Sequence, residues 1–159
     1  MSNKIRWGVL GGGDDSLIGV LHRVAASMFD AYQLVGGAFN VEKEKSIAFA
    51  KAIGIPTHRV YADIEELIAG ETAMDPEERM QVVSVLTPNF LHFSMAKKLM
   101  TAGLHVICEK PMTMTLEEAL ELQQIQKEKG VIFGLTHTYT GYPMVRQMRE
   151  MIADGVVGK

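Results

Sequence analysis

Apolar residues in this chain switch between two spacings. Short runs rich in Val, Ile and Leu alternate with longer segments whose apolar positions recur at helical intervals, the pattern of a parallel sheet covered by helices on both faces. The spacing predicts a first strand over residues 5–10, then a helix in which Leu17, Leu21, Val24, Ala25 and Met28 pack on the sheet. A second strand over 33–39 leads to a helix over 42–53, closed by Gly54. Val60 and Tyr61 read as a short third strand, and Asp63 with Glu66 opens a helix through Ile68 as a capping-box variant. Residues 70–81 are polar and acidic and read as a surface excursion with one helical turn. The remaining elements are a strand over 81–86, a helix over 90–101 ended by Gly103, and a strand over 104–108. A helix begun by Thr115 and Glu118 and ended at Gly130, a strand over 131–135 and a helix over 142–153 follow. The expected fold class is α/β, a doubly wound parallel sheet.

Composition narrows the class of protein. The 159 residues fit one domain and are 47% apolar, enough for a sizeable core. A net charge of -3, with no basic cluster beyond Lys97-Lys98, offers no field for a polyanion, so nucleic acid is excluded as a partner. The single cysteine, Cys108, makes neither an internal disulfide nor a cysteine zinc site, and Met1-Ser2-Asn3-Lys4 lacks the apolar core of a signal peptide. No apolar run is long enough to span a bilayer, so a soluble, cytoplasmic protein without a membrane partner is expected. His22, His58 and His105 show no metal-ligand spacing, and no metal is expected. The eleven methionines are read as soft packing.

Candidate chemistry gathers at the carboxyl ends of the expected strands, where open α/β sheets bind ligands. The first strand runs into Gly11-Gly12-Gly13-Asp14-Asp15-Ser16-Leu17-Ile18-Gly19. Gly11, Gly13 and Gly19 at a strand-to-helix turn let backbone N–H groups approach a pyrophosphate, which the helix N-terminus favours. Five residues separate Gly13 from Gly19, more than in G-x-G-x-x-G, and two aspartates stand where phosphate would lie. A plain tight turn is the competing reading. Asn40, at the end of the second strand, occupies the position where NAD-binding folds place a carboxylate on the ribose. Lys43 and Lys45 could neutralise a 2′-phosphate, which leans the expectation towards NADP; both also read as ordinary helix charges.

The strand over 81–86 exits through Thr87-Pro88-Asn89, with His92 one turn on. Asn89 can cap the following helix, and Thr87, Asn89 and His92 could also line a nicotinamide pocket. The next strand delivers Glu109-Lys110-Pro111, two charges and a stiff turn at a ligand-binding edge. The last strand opens into Thr136-His137-Thr138-Tyr139-Thr140-Gly141-Tyr142-Pro143, polar and aromatic, which suits a hydroxylated substrate or an interdomain surface.

Taken in order, Gly19-Val20-Leu21-His22, Thr87-Pro88-Asn89 with His92, and Glu109-Lys110-Pro111 resemble the Gfo/Idh/MocA family of glucose-fructose oxidoreductases, inositol dehydrogenases and rhizopine-catabolism proteins. Gly155-Val156-Val157-Gly158-Lys159 is similar to that family's exit from its first domain, so the resemblance covers essentially the whole chain. It implies the Rossmann half of a two-domain NAD(P)-dependent oxidoreductase acting on sugars, cyclitols or related polyols. Lys110 would move the proton of the substrate hydroxyl, Glu109 would sit near the cofactor, and Pro111 would fix the turn. The long acidic glycine loop departs from the family pattern, as does Thr140, which stands where many members carry an arginine. The family's second, α+β domain, which supplies an aspartate, a histidine, most substrate contacts and the interface of a homo-oligomer, has no counterpart here. Residues 1–159 are therefore expected to be a cofactor domain cut from a longer protein. The competing readings are a non-catalytic nucleotide-binding or regulatory module and, less well matched, a methyltransferase using S-adenosylmethionine.

Overall fold

Val82-Val83-Ser84-Val85-Leu86 is buried at every position, as a central parallel strand covered on both faces must be. Its one polar side chain is satisfied, because Trp7 Nε1 donates to Ser84 Oγ at 2.8 Å. In the computed structural model, which describes residues 4–156 and 158, this segment is β3. The elements are β1 (Ile5–Gly11), α1 (Leu17–Ser27), β2 (Tyr32–Ala38), α2 (Lys43–Ala52), α3 (Ile64–Thr72), β3 (Val82–Leu86), α4 (His92–Thr101), β4 (His105–Glu109), α5 (Leu116–Lys129), β5 (Phe133–Thr136) and α6 (Pro143–Ala153). Among the described residues the strands form a parallel five-stranded sheet in the order β2-β1-β3-β4-β5. This is the doubly wound α/β fold. Met1, Ser2 and Asn3, and Val157 and Lys159 of the exit segment, lie outside the described residues.

Two cores flank the sheet. Val83, Val85, Val106 and Cys108 meet Leu67, Ala96, Leu99, Met100 and Leu122 on one side, while Trp7, Val9, Val82 and Leu86 meet Phe39, Phe49, Ala50 and Ile55 on the other. Local signals in the sequence account for several helix ends. Asp63 Oδ1 accepts from Glu66 N at 2.8 Å and Thr115 Oγ1 from Glu118 N at 3.3 Å, and α5 stops at Gly130 with φ 64°.

Three expectations are corrected. The third strand reduces to one parallel bridge, Gly37 to Val60, with Tyr61 N donating to Gly37 O at 3.0 Å, because two residues cannot extend a ladder. Asn89 does not cap α4; it begins a 3₁₀ turn over Asn89–Leu91 and makes no capping bond. The stripe on α1 points the wrong way: Leu17 is 74% and Leu21 53% exposed, and Val24 and Met28 are also exposed. Gly19 is the reason. A Cβ there would lie 2.1 Å from Gly12 O, so the helix packs glycine-first, and the inward face becomes Gly19, His22, Arg23 and Ala26 at i, i+3, i+4 and i+7.

Candidate functional site

The chain leaves β1 in one direction and β3 in the other, so the strand order reverses between these neighbours and opens a crevice at their carboxyl ends. The glycine loop forms its floor. Gly11 has φ 80°, and a Cβ there would meet Leu86 O at 2.9 Å, a conformation and a fit that favour glycine. Gly13 N donates to Phe39 O at 3.1 Å, tying the loop to the end of β2. Ser16 caps α1, its Oγ accepting from Gly19 N at 3.0 Å. Arg23 Nη1 donates to Gly12 O at 2.6 Å and lies over the Phe49 ring at 4.9 Å. Burial lowers the pKa of this guanidinium, partly opposed by Asp14. Sequence reasoning missed Arg23, although its i+4 spacing from Gly19 was the available signal.

The crevice is a cleft of about 440 Å³ lined by Gly11, Phe39, Asn40, Asp63, Leu86 and Thr87, among others, within the range of small-molecule and cofactor sites. A second groove of about 380 Å³ runs past Gly13, Asp14, Asp15, Asn40 and Lys45. Asn40 Oδ1 accepts from Glu42 N at 3.0 Å. Lys45 lies 2.6 Å from Glu42, and Lys43 2.9 Å from Glu66, so both lysines have carboxylate partners. Thr87 Oγ1 is buried with no hydrogen-bond partner among the described residues. A close-packed glycine cradle and an orphaned hydroxyl beside a mostly apolar cleft fit the phosphates and polar edges of a dinucleotide.

The next strand end holds the charged triplet. Lys110 is exposed, and its ammonium makes no ion pair among the described residues. Glu109 is turned inward instead of into the cleft: its Oε1 accepts from His22 Nε2 at 2.9 Å beneath α1. Pro111 follows Lys110 through a cis peptide bond. His92, expected to line the nicotinamide pocket, is 1% exposed. Its Nδ1 lies 2.7 Å from Pro111 O and its Nε2 2.9 Å from Thr87 O, so it joins two strand ends from behind. Gly11, Gly13, Gly19, Asn40 and Thr87 therefore converge on the crevice and its loop. Glu109, Lys110 and Pro111 stand one strand over, Asn89 is exposed on the rim, and Lys45 flanks the outer groove.

Beyond β5, Tyr139 and Tyr142 meet edge to face at 5.8 Å on an exposed loop, and Thr136 Oγ1 is buried without a hydrogen-bond partner among the described residues. Among the described residues, no group of three or more His, Cys, Asp or Glu side chains could hold a metal ion, and no helix is long and apolar enough to cross a membrane.

Glycine-loop cradle, switch-point crevice and parallel sheet together define a dinucleotide-binding Rossmann domain. Residues 5–137 match the Gfo/Idh/MocA oxidoreductase family, NAD-binding Rossmann fold, and the chain belongs to that family. An uncharacterized oxidoreductase of Bacillus subtilis, YfiI, is 36% identical over 159 residues, covering 99% of this chain and 40% of that protein. The 1,5-anhydro-D-fructose reductase of Ensifer adhaerens is 31% identical over 97% of this chain and 42% of its own length. An inositol dehydrogenase homolog of Azotobacter vinelandii, solved with NADH and myo-inositol, superposes with a TM-score of 0.92 at 40% identity, covering 98% of this chain and 41% of that one. The chain thus spans about two fifths of the length of these relatives.

Proposed function

We propose that this chain is the cofactor half of an oxidoreductase that transfers hydride between a nicotinamide dinucleotide and a CH–OH group of a sugar, cyclitol or related polyol. The observation that carries the reading is the place of Lys110, exposed just past the carboxyl end of β4, one strand over from the end of β3 that lines the cleft, with no ion pair among the described residues. Bound in the cleft, the nicotinamide supplies hydride donor or acceptor chemistry. Lys110 holds or releases the proton of the substrate hydroxyl and stabilises developing negative charge on its oxygen. Gly11, Gly13 and Gly19 bring backbone to the pyrophosphate, Asn40 meets the ribose, and Thr87 and Asn89 edge the nicotinamide side. The Azotobacter relative's NADH and myo-inositol support the substrate class.

NAD is the preferred partner in this reading, against the lean to NADP that Lys43 and Lys45 suggest by themselves. Both lysines are paired with carboxylates, Asp14 and Asp15 share the groove with Lys45, and Asp63 lines the cleft together with Glu65, whose partner Lys98 is the cleft's one cation among the described residues. A 2′-phosphate would meet more negative charge than positive.

The active protein includes a second domain that covers the exposed stripe on α1 and the apolar side of α6, where Met144, Met148 and Ile152 are exposed. That domain completes the substrate site and carries the interface of a homo-oligomer.

Parallel titrations with NADH and NADPH at fixed salt, followed by nicotinamide fluorescence, test the cofactor reading. Saturable binding with tighter NADH is expected; tighter NADPH would overturn the choice of NAD, and no binding of either would leave the non-catalytic module with a different ligand. In the full-length protein, Lys110→Met is expected to cut kcat by about a hundredfold or more while cofactor binding stays near that of the parent. Unchanged turnover removes Lys110 from the chemistry.

A further inference from the structure

The turn carrying Lys110 is gripped from both faces of the sheet. On the α4 side, His92 joins the carbonyls of Thr87 and Pro111. On the α1 side, His22 Nε2–H donates to Glu109 Oε1 at 2.9 Å, with side chains 11% and 10% exposed. Glu109 Oε2 in turn accepts from the backbone N–H of Lys110 at 3.3 Å. One carboxylate therefore links α1 to the peptide that leads into the lysine.

The other end of that link is the glycine loop. His22 lies one turn beyond Gly19, which abuts Gly12 so closely that a Cβ would fall 2.1 Å from Gly12 O. Arg23, the next residue on the same face, donates to Gly12 O at 2.6 Å. The azimuth and depth of α1 are thus referenced to the loop, and His22 carries that reference 87 positions along the chain to Glu109. A carboxylate this deeply placed is costly to leave unpaired, so the contact is unlike the exposed pairs of Lys43 or Lys45.

We propose that His22 is a positioning residue for the hydride-transfer reaction: through Glu109 it fixes Lys110 relative to the loop that cradles the dinucleotide. The proposal rests on the acid/base reading of Lys110. A mere fold staple would lower stability and the folded fraction when removed, leaving kcat per folded site intact. A positioning residue affects kcat at saturating cofactor and substrate, since small misplacements of an acid/base group are expensive in rate.

The test uses the full-length protein carrying His22→Ala, His22→Gln and His22→Asn, with Lys110→Met alongside. The glutamine amide reaches the place of the imidazole Nε2 and restores a donor to Glu109; the asparagine amide stops near Nδ1 and does not. Expected are a fall in kcat of roughly tenfold to a hundredfold in His22→Ala, with NADH Kd within about threefold of the parent, and recovery in His22→Gln. Should His22→Ala not fold, His22→Gln is expected to exceed His22→Asn in kcat per folded site. Parent-like kcat in folded His22→Ala, or equal kcat in the glutamine and asparagine variants, overturns the coupling. If Lys110→Met itself turns over normally, the acid/base reading fails; if Lys110→Met is crippled while His22→Ala is not, only the coupling fails.

Discussion

Arg59 and Glu71 form a buried ion pair, with Nη2 2.6 Å from Oε2 and the carboxylate fully buried. Glu71 spends its remaining acceptor capacity on Arg59 Nε at 3.2 Å, Tyr61 Oη at 2.6 Å and Met80 N at 2.6 Å. One side chain from the end of α3 thereby fastens the short bridge beyond β2 and the entry to β3. Burial, reinforced by Glu71, pushes the Tyr61 phenol well above its ordinary range.

Glu71→Ala is expected to destabilise the fold by about 3–5 kcal/mol, since it leaves a phenol and a peptide N–H unpaired in the interior and the mostly buried Arg59 guanidinium with only Glu78 O as partner. Urea denaturation reads the change as a shift in midpoint. A loss below about 1 kcal/mol would mean that Arg59 finds water when its partner goes, and that the pair is worth no more than a surface bridge.

The glycine loop makes a sharper contrast. Gly19→Ala places a Cβ 2.1 Å from one backbone oxygen and 2.6 Å from its carbon, atoms that move only if the loop opens. A cost of about 1–3 kcal/mol is expected, together with weakened NADH binding. Gly141→Ala is the control, because nothing lies within 4 Å of the added Cβ, and a change within about 0.5 kcal/mol is expected there. Parent-like NADH affinity in Gly19→Ala would separate the loop from the dinucleotide.

What the sequence made legible was local. Strand, glycine turn and helix succeed one another within a few residues, so the β1–α1 junction, the capping residues Asp63 and Thr115, and the Gly130 stop could be read directly. The side that α1 buries could not. Leu17, Leu21, Val24 and Met28 make an apolar stripe, but backbone contact at Gly19 sets the helix azimuth, and periodicity carries no information on how closely two backbones approach. His22–Glu109 and Arg59–Glu71 were invisible for a related reason: each pairing depends on which strand ends and loops become neighbours. The positions of Thr87 and Glu109-Lys110-Pro111 at adjacent strand ends were legible because they follow from where strands stop; the inward turn of Glu109 and the burial of His92 depend on rotamers that tertiary packing selects.

Cys108 gives a prediction that needs no cofactor. The thiol is fully buried in β4, and burial, with the neighbouring charge of Glu109 second, pushes its pKa up to about 12. Only the thiolate is an effective nucleophile, so the native chain should resist iodoacetamide at pH 8 and react only as fast as it opens. Linkage fixes the sign of the pH effect. An unfolded cysteine ionises near pH 8.5, well before the folded one, so its contribution to stability is complete below that value and declines as pH rises from there towards about 12. Denaturation at a series of pH values should therefore show a steeper alkaline loss in the parent than in Cys108→Ala, whatever the offset between them. Prompt alkylation of the folded chain at pH 8 would show that β4, the strand leading into Lys110, opens readily, and identical slopes in the two proteins would show that burial does not raise the Cys108 thiol as expected.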